Sequence, residues 1–267
     1  MKVIIIAVLI VVKIGAQWGE GAKQAALCNS ALALAGDAFA IFNSSANILH
    51  INSRQFGAEY TPGKFGFKQL SSFHFAYVEP FSNFSIGVGL GSYGFELYKE
   101  NELVLGLACE ASKGFIVSAS TTLSNLKIQN YGISNSLLIN VSTLYYIYEK
   151  LRTGFAVNNI NGASRGNEAG QIPIVFLYGW SWDVSEDFVL NIATEKETGF
   201  PFAVMAGFLY KPVKYFSLRS GAATNPTKYS AGFGLTYSHF QFDYAVYTHP
   251  VFELTHQFGV IFSFLPF

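Results

Sequence analysis

The chain has 267 residues, with 17 Lys+Arg against 17 Asp+Glu, 51% hydrophobic, 16% aromatic and only 13% charged residues. Zero net charge without a basic run excludes a nucleic-acid binder, whose affinity comes largely from phosphate neutralisation, and 26 Phe with 15 Tyr exclude a disordered chain. Aromatics beside 25 Gly and 2 Met favour pleated sheet, where rings pack well and Gly serves tight turns and close strand approach.

At the start, Met1-Lys2 precedes the apolar run Val3 to Val12 and a small-residue ending, Ile14-Gly15-Ala16. Residues 1–16 read as a removed export signal, with the mature chain beginning near Gln17. The rival, a spanning helix, needs ~20 apolar residues, and this run stops at Lys13. Residues 17–52 differ in character: they are rich in Ala, with a helical stretch around Ala25 to Leu34, then Gly36-Asp37-Ala38-Phe39-Ala40-Ile41-Phe42-Asn43-Ser44-Ser45-Ala46-Asn47. Cys28 and Cys109 could pair in an oxidising compartment or stay as two small apolar residues; two Cys make no disulfide framework.

No later stretch is apolar for long enough to cross a bilayer as a helix, which leaves a closed β-barrel as the way for so apolar an exported chain to span one. A barrel wall demands strict alternation between a lipid face and a lumenal face. Phe84, Ile86, Val88 and Leu90 alternate with Ser85, Gly87, Gly89 and Gly91, and Tyr229, Ala231, Phe233 and Leu235 with Ser230, Gly232 and Gly234. Further runs follow the same period from about Ser53 to the end, with Tyr and Trp gathered toward strand ends where interfacial rings belong. A soluble sandwich would carry a charged outer face, whereas here the alternate face is Gly, Ala, Ser and Thr.

Turn signals divide residues 53–267 into about fourteen strands, or twelve if the weak runs Ser53 to Tyr60 and Phe216 to Ala222 are not strands. Short connections such as Lys211-Pro212-Val213-Lys214 alternate with longer ones at Lys127 to Ser136, Asn161 to Gln171 and Thr248 to Thr255, as periplasmic turns alternate with outer loops. The fold expected is therefore an all-β transmembrane antiparallel barrel in the bacterial outer membrane. Its last strand, Phe258 to Phe267, ends in an aromatic residue and resembles the C-terminal assembly signal of such barrels.

A barrel of this width is not filled by its own side chains, so residues 17–52 are expected to fold inward as a small helical plug, with a loose periplasmic tail as the alternative. Asp37 and Asn43 should then be buried and hydrogen-bonded, because an unpaired carboxylate in a closed barrel is costly. Ser72, His74, Glu102, Glu110, Glu195, Arg219 and Asp243 fall on lumenal registers, where charges can pair with one another or with Lys23 and Asp37. Ser72 and His74 are the nearest approach to a nucleophile and base, but they face away from lipid, and no enzyme is expected. His239, His249 and His256 lack metal-ligand spacing, and neither metal nor cofactor is expected. Wall charge should be tolerated by face, with Arg costly at Phe233 or Leu235 and much cheaper at Ser230.

Gly21-Ala22, Ala25-Ala26-Leu27, Ala31 to Ala35 and the run Gly36 to Ala46 resemble the N-terminal pattern of the PorV/PorQ outer-membrane proteins of the FadL-like barrel superfamily. Gly36, Asp37, Phe39, Asn43 and Ala46 carry its acidic step and aromatic-Asn turn, while Ser44 stands where that family usually has Pro and Asn47 where it usually has Gly. Phe252 to Gly259 is similar to its last hairpin, and this chain is shorter than the well-known members. The resemblance implies a plugged barrel acting as an accessory component of type IX-like protein secretion, with a translocon and secreted proteins as partners beside outer-membrane lipid. The alternative it implies is a FadL-like channel whose ligand is a hydrophobic small molecule.

Overall fold

The computed structural model describes residues 21–165 and 170–264; the export signal, the mature start and Phe267 lie outside them. Fourteen strands follow in chain order. They are β1 Gln55–Thr61, β2 Ser72–Pro80, β3 Phe84–Phe95, β4 Tyr98–Ser112, β5 Phe115–Ile128, β6 Gly132–Tyr148 and β7 Leu151–Asn158. The second half comprises β8 Val175–Asp183, β9 Phe188–Glu197, β10 Ala203–Val213, β11 Phe216–Ala223, β12 Lys228–Tyr237, β13 Phe240–Tyr247 and β14 Thr255–Ser263. Each pairs antiparallel with its neighbours in sequence, and β1 pairs with β14 to close the barrel. Closure leaves no free sheet edge, which a strand wall in hydrocarbon requires.

Both weak runs are strands, so the twelve-strand alternative falls. The period of two holds around the wall. On β8, Phe176, Tyr178, Trp180 and Trp182 are exposed while Val175, Leu177, Gly179 and Ser181 are buried. Large apolar residues lie exposed on strand after strand, from Phe56 and Phe75 through Leu105 and Leu123 to Val260. A water-soluble protein does not carry so large a continuous apolar patch. In a closed barrel it is the lipid-facing belt, and it places the protein in the bacterial outer membrane.

Two departures from the sequence expectations concern strand ends. The stretch Lys127 to Ser136 is no long loop: β5 and β6 stay paired up to Ile128 and Gly132, and only residues 129–131 turn. By contrast β7 pairs only the inner half of β6, from Val141 onward. Asn161 stands in for the missing ladder there. Its Oδ1 accepts from Ile139 N–H at 2.9 Å and its Nδ2 donates to Leu137 O at 2.8 Å.

Register gives a direct test of the faces. Leu235 is 47% exposed on the lipid side, and Leu235→Arg is expected to cost ~2–4 kcal/mol. Ser124→Arg, on the lumenal register of β5 and half-buried, is expected to cost under ~1 kcal/mol. Urea unfolding of vesicle-inserted protein measures both, and equal losses would show the register to be wrong.

Candidate functional site

The N-terminal segment lies inside the barrel as two halves. The first holds α1, Ala22–Ala26, and a 3-10 turn at Ala31–Ala33; the second holds α2, Ala40–Asn43, and a 3-10 turn at Ser45–His50. The helical stretch is therefore shorter than its Ala content suggests, because Cys28 and Asn29 take left-handed backbone angles (φ 49° and 62°) and stop α1. The first half packs on β7 to β9 and on β11 to β14, and the second on β3 to β6.

Lumenal glycines are the sockets for this segment. A Cβ on Gly87 or Gly106 would stand 2.8 Å or 2.4 Å from Ile41, and one on Gly57 2.7 Å from the Phe39 ring. On the other side, a Cβ on Gly221 would meet the Leu27 carbonyl carbon at 2.6 Å, and one on Gly232 would meet Ala26 at 2.6 Å. Wall hydroxyls then take up the backbone polar groups that helix ends leave open. Ser142 Oγ accepts from Ala46 N–H at 3.0 Å and Ser45 Oγ donates to Ser118 Oγ at 2.9 Å. Ser230 Oγ accepts from Cys28 N–H at 3.0 Å and donates to Ala26 O at 2.8 Å. Ser230 is thus a docking residue, and Arg there would collide with the segment; the expectation of a cheap substitution is corrected.

Asp37 is 4% exposed. Its Oδ1 accepts from Phe39 N–H at 3.1 Å and Gln24 Nε2 at 3.3 Å, while Lys23 Nζ lies 3.8 Å from Oδ2. Burial pushes the Lys23 ammonium below its usual range, with Asp37 opposing that shift. Asn43 is only half-buried, and its Nδ2 donates back to Phe39 O at 3.1 Å. Phe39 and Ala46 are buried. Gly36 is forced by crowding, since a Cβ would come within 2.7 Å of Ala40 and 3.0 Å of Asn47. Nearer the periplasmic end, His50 Nε2 lies 2.9 Å from the Tyr146 hydroxyl. Burial, reinforced by Arg152, holds its imidazole below the usual 6.5.

Two charge clusters cross the wall over glycines. In one row Glu59 pairs with His74, His74 with Gly91 and Gly91 with Glu102. Without a side chain on Gly91, Glu102 reaches over β3 to within 3.9 Å of His74 Nε2, while Glu59 lies 3.5 Å from Nδ1 and the Phe42 ring meets the imidazole edge-on. Across the barrel Arg219 Nη1 donates to Asp243 Oδ1 at 2.5 Å over Gly234, where a Cβ would be 2.4 Å from Nη2. Glu59 was missed by sequence reasoning because β1 is weakly patterned. Its place two residues from Gly57 and Thr61 was the available signal.

The remaining sequence candidates are scattered. Glu110 is exposed and accepts from Gly114 N–H at 2.7 Å in the β4–β5 turn, where the lumenal register runs out of the barrel. Glu195 stands beside Glu197 and Lys228 at the outer end of β9. Ser72 is buried, but its Oγ makes no hydrogen bond to the His74 ring. Cys28 and Cys109 are both free, on opposite sides of the wall. His239, His249 and His256 each lie against a different aromatic ring. Among the described residues no group of side chains could hold a metal ion.

Between the halves lies a cavity of about 30 Å³, lined by Leu32, Leu34, Ala35, Ala40, Asn43 and Leu177 among others. Besides the Lys23 and Gln24 contacts to Asp37, Lys23 Nζ donates to Ala35 O at 3.0 Å and Asn47 Nδ2 to Leu32 O at 2.9 Å.

No family model matches the sequence, and no curated protein matches it. Solved structures do. The chain is similar in fold to the CymD monoaromatic hydrocarbon channel, with a TM-score of 0.68 at 13% identity over 91% of this chain and 97% of that one. It is similar to the toluene transporter TodX of Pseudomonas putida, with a TM-score of 0.65 at 11% identity over 93% and 98%. A FadL homologue of Pseudomonas aeruginosa gives 0.66 at 11% identity over 92% and 98%. At these identities the likeness is one of fold: the chain is an outer-membrane barrel with the fold of these structures.

Proposed function

We propose that the protein admits small, predominantly apolar molecules across the outer membrane, through the seam between the two halves of its N-terminal segment. The cavity on that seam carries the reading. At about 30 Å³ it is far below the ~150 Å³ of apolar space that accepts a benzene ring, so passage requires the halves to part. They are seated on opposite walls, and parting them disturbs no strand ladder. The FadL-like fold, shared with proteins described as hydrocarbon channels, supports this reading over an enzyme. A secretion-accessory role rests on the N-terminal and last-hairpin motifs alone.

The test is uptake of an apolar naphthylamine dye by intact cells carrying the protein in their outer membrane. Dye entry is expected to rise above that of cells without it, and Ala35→Phe, which fills the seam from a half-buried position, is expected to lower it severalfold. Equal uptake with and without the protein, or equal stimulation of a sugar of similar size, would overturn the reading. A translocon captured with the solubilised protein, together with unchanged dye entry, would favour the secretion role.

A further inference from the structure

The outward face of β3 to β6 changes character in three successive rows. Leu90, Leu103, Leu123 and Leu137 are cross-strand partners and form one row of the lipid belt. Two residues further out, Ser92, Asn101, Asn125 and Asn135 form the next, joined by Ser92 Oγ donating to Asn101 Oδ1 at 3.0 Å and Asn125 Nδ2 to Asn135 Oδ1 at 2.7 Å. Beyond them Lys99 and Lys127 are direct cross-strand partners, both exposed, with Ile133 beside them. This is the end of the barrel that carries the longer β1–β2, β7–β8 and β13–β14 connections, opposite the end where β14 finishes, hence the outer leaflet side.

Directly opposed lysines repel, their Cα atoms being roughly 4.5–5.5 Å apart in an antiparallel pair. Among the described residues no carboxylate forms an ion pair with either. An anion between them removes the repulsion, and two ammonium groups are suited to one phosphate. The leucine row beneath the amides suits an anion carried on acyl chains, and the intervening amides offer donors and acceptors to sugar hydroxyls.

We propose that this face is a binding site for a phosphorylated glycolipid of the outer leaflet, its phosphate held by Lys99 and Lys127, its sugars by the Asn row and its chains by the Leu row. The site faces away from the lumen and stands apart from whatever passes through the seam.

Lipid A, a phosphorylated and acylated glucosamine disaccharide, is the probe. Detergent-purified full-length protein is mixed with it and examined by native mass spectrometry. The wild type and K99R/K127R are expected to retain it, K99Q/K127Q to lose about tenfold in retention, and a periplasmic-end control, K113Q/K150Q, to lose nothing. All four positions are exposed, and heat-modifiable electrophoretic mobility verifies the fold of each variant. Undiminished retention by K99Q/K127Q would overturn the proposal, as would equal retention of dephosphorylated lipid A. Displacement of the lipid by millimolar inorganic phosphate would assign the lysines to a free anion and overturn the lipid site as well.

Discussion

Deleting residues 22–51 is expected to raise ion conductance in planar bilayers by more than about tenfold, because a fourteen-stranded barrel is wider than its own side chains fill. The full-length protein should stay nearly closed. The segment supplies much of the buried apolar core, with Phe39, Ile41, Ile48 and Leu27 each at or below 2% exposure. What they cover is a wall of Gly57, Gly87, Gly106 and Gly221 together with Ser118, Ser142 and Ser230. Such a surface hydrates readily once uncovered. The strands keep their ladders and their lipid face, so the deleted chain should still insert, which electrophoretic mobility before and after heating checks. A large open conductance before deletion, or none after it, would each contradict a lumen closed by this segment.

How much of this was legible in the sequence depended on which solvent each residue meets. Where a strand crosses hydrocarbon, one face must be apolar, and runs such as Phe84 to Leu90 and Tyr229 to Leu235 announce themselves. Where β4 to β6 rise beyond the lipid belt that demand ends. Lys127 and Asn135 then read as loop although the ladder continues unbroken to Ile128 and Gly132. β11 was faint for another reason: only Phe216 and Leu218 are large among its outward positions, while Arg219 interrupts the run.

Inside the barrel the difficulty was one of partners. The lumenal glycines were visible, but a glycine does not name what approaches it. That Gly91 lets Glu102 reach His74, whereas Gly106 receives Ile41, is settled by tertiary placement alone. Likewise Ala-rich composition foretold a small helical insert, yet sockets and serine caps, rather than helix propensity, fix where α1 stops.

Gly221→Leu is expected to unseat the first half of the segment. The atoms a Cβ would meet there belong to main chain: Leu27 C at 2.6 Å, Leu27 O at 2.7 Å and Cys28 N at 2.9 Å. No rotamer change relieves such a contact, so either the strand or the segment must move, and the strand is held by ladders to β10 and β12. Overpacking of this kind costs ~1–3 kcal/mol, and displacing Cys28 also removes its hydrogen bond to Ser230, worth about 1 kcal/mol. Gly259→Ala is the matched control, because its new methyl group would lie 3.6 Å from Ala22 and 3.8 Å from Asp243, at ordinary contact distance. Thermal unfolding in detergent should therefore separate the two variants by at least about 2 kcal/mol, and Gly221→Leu alone should leak ions. If both variants matched the wild type, Leu27 and Cys28 would not be seated on β11. If Gly221→Leu lost stability without leaking, the first half would stabilise the wall but not close the lumen, and passage through the seam would lose its physical basis.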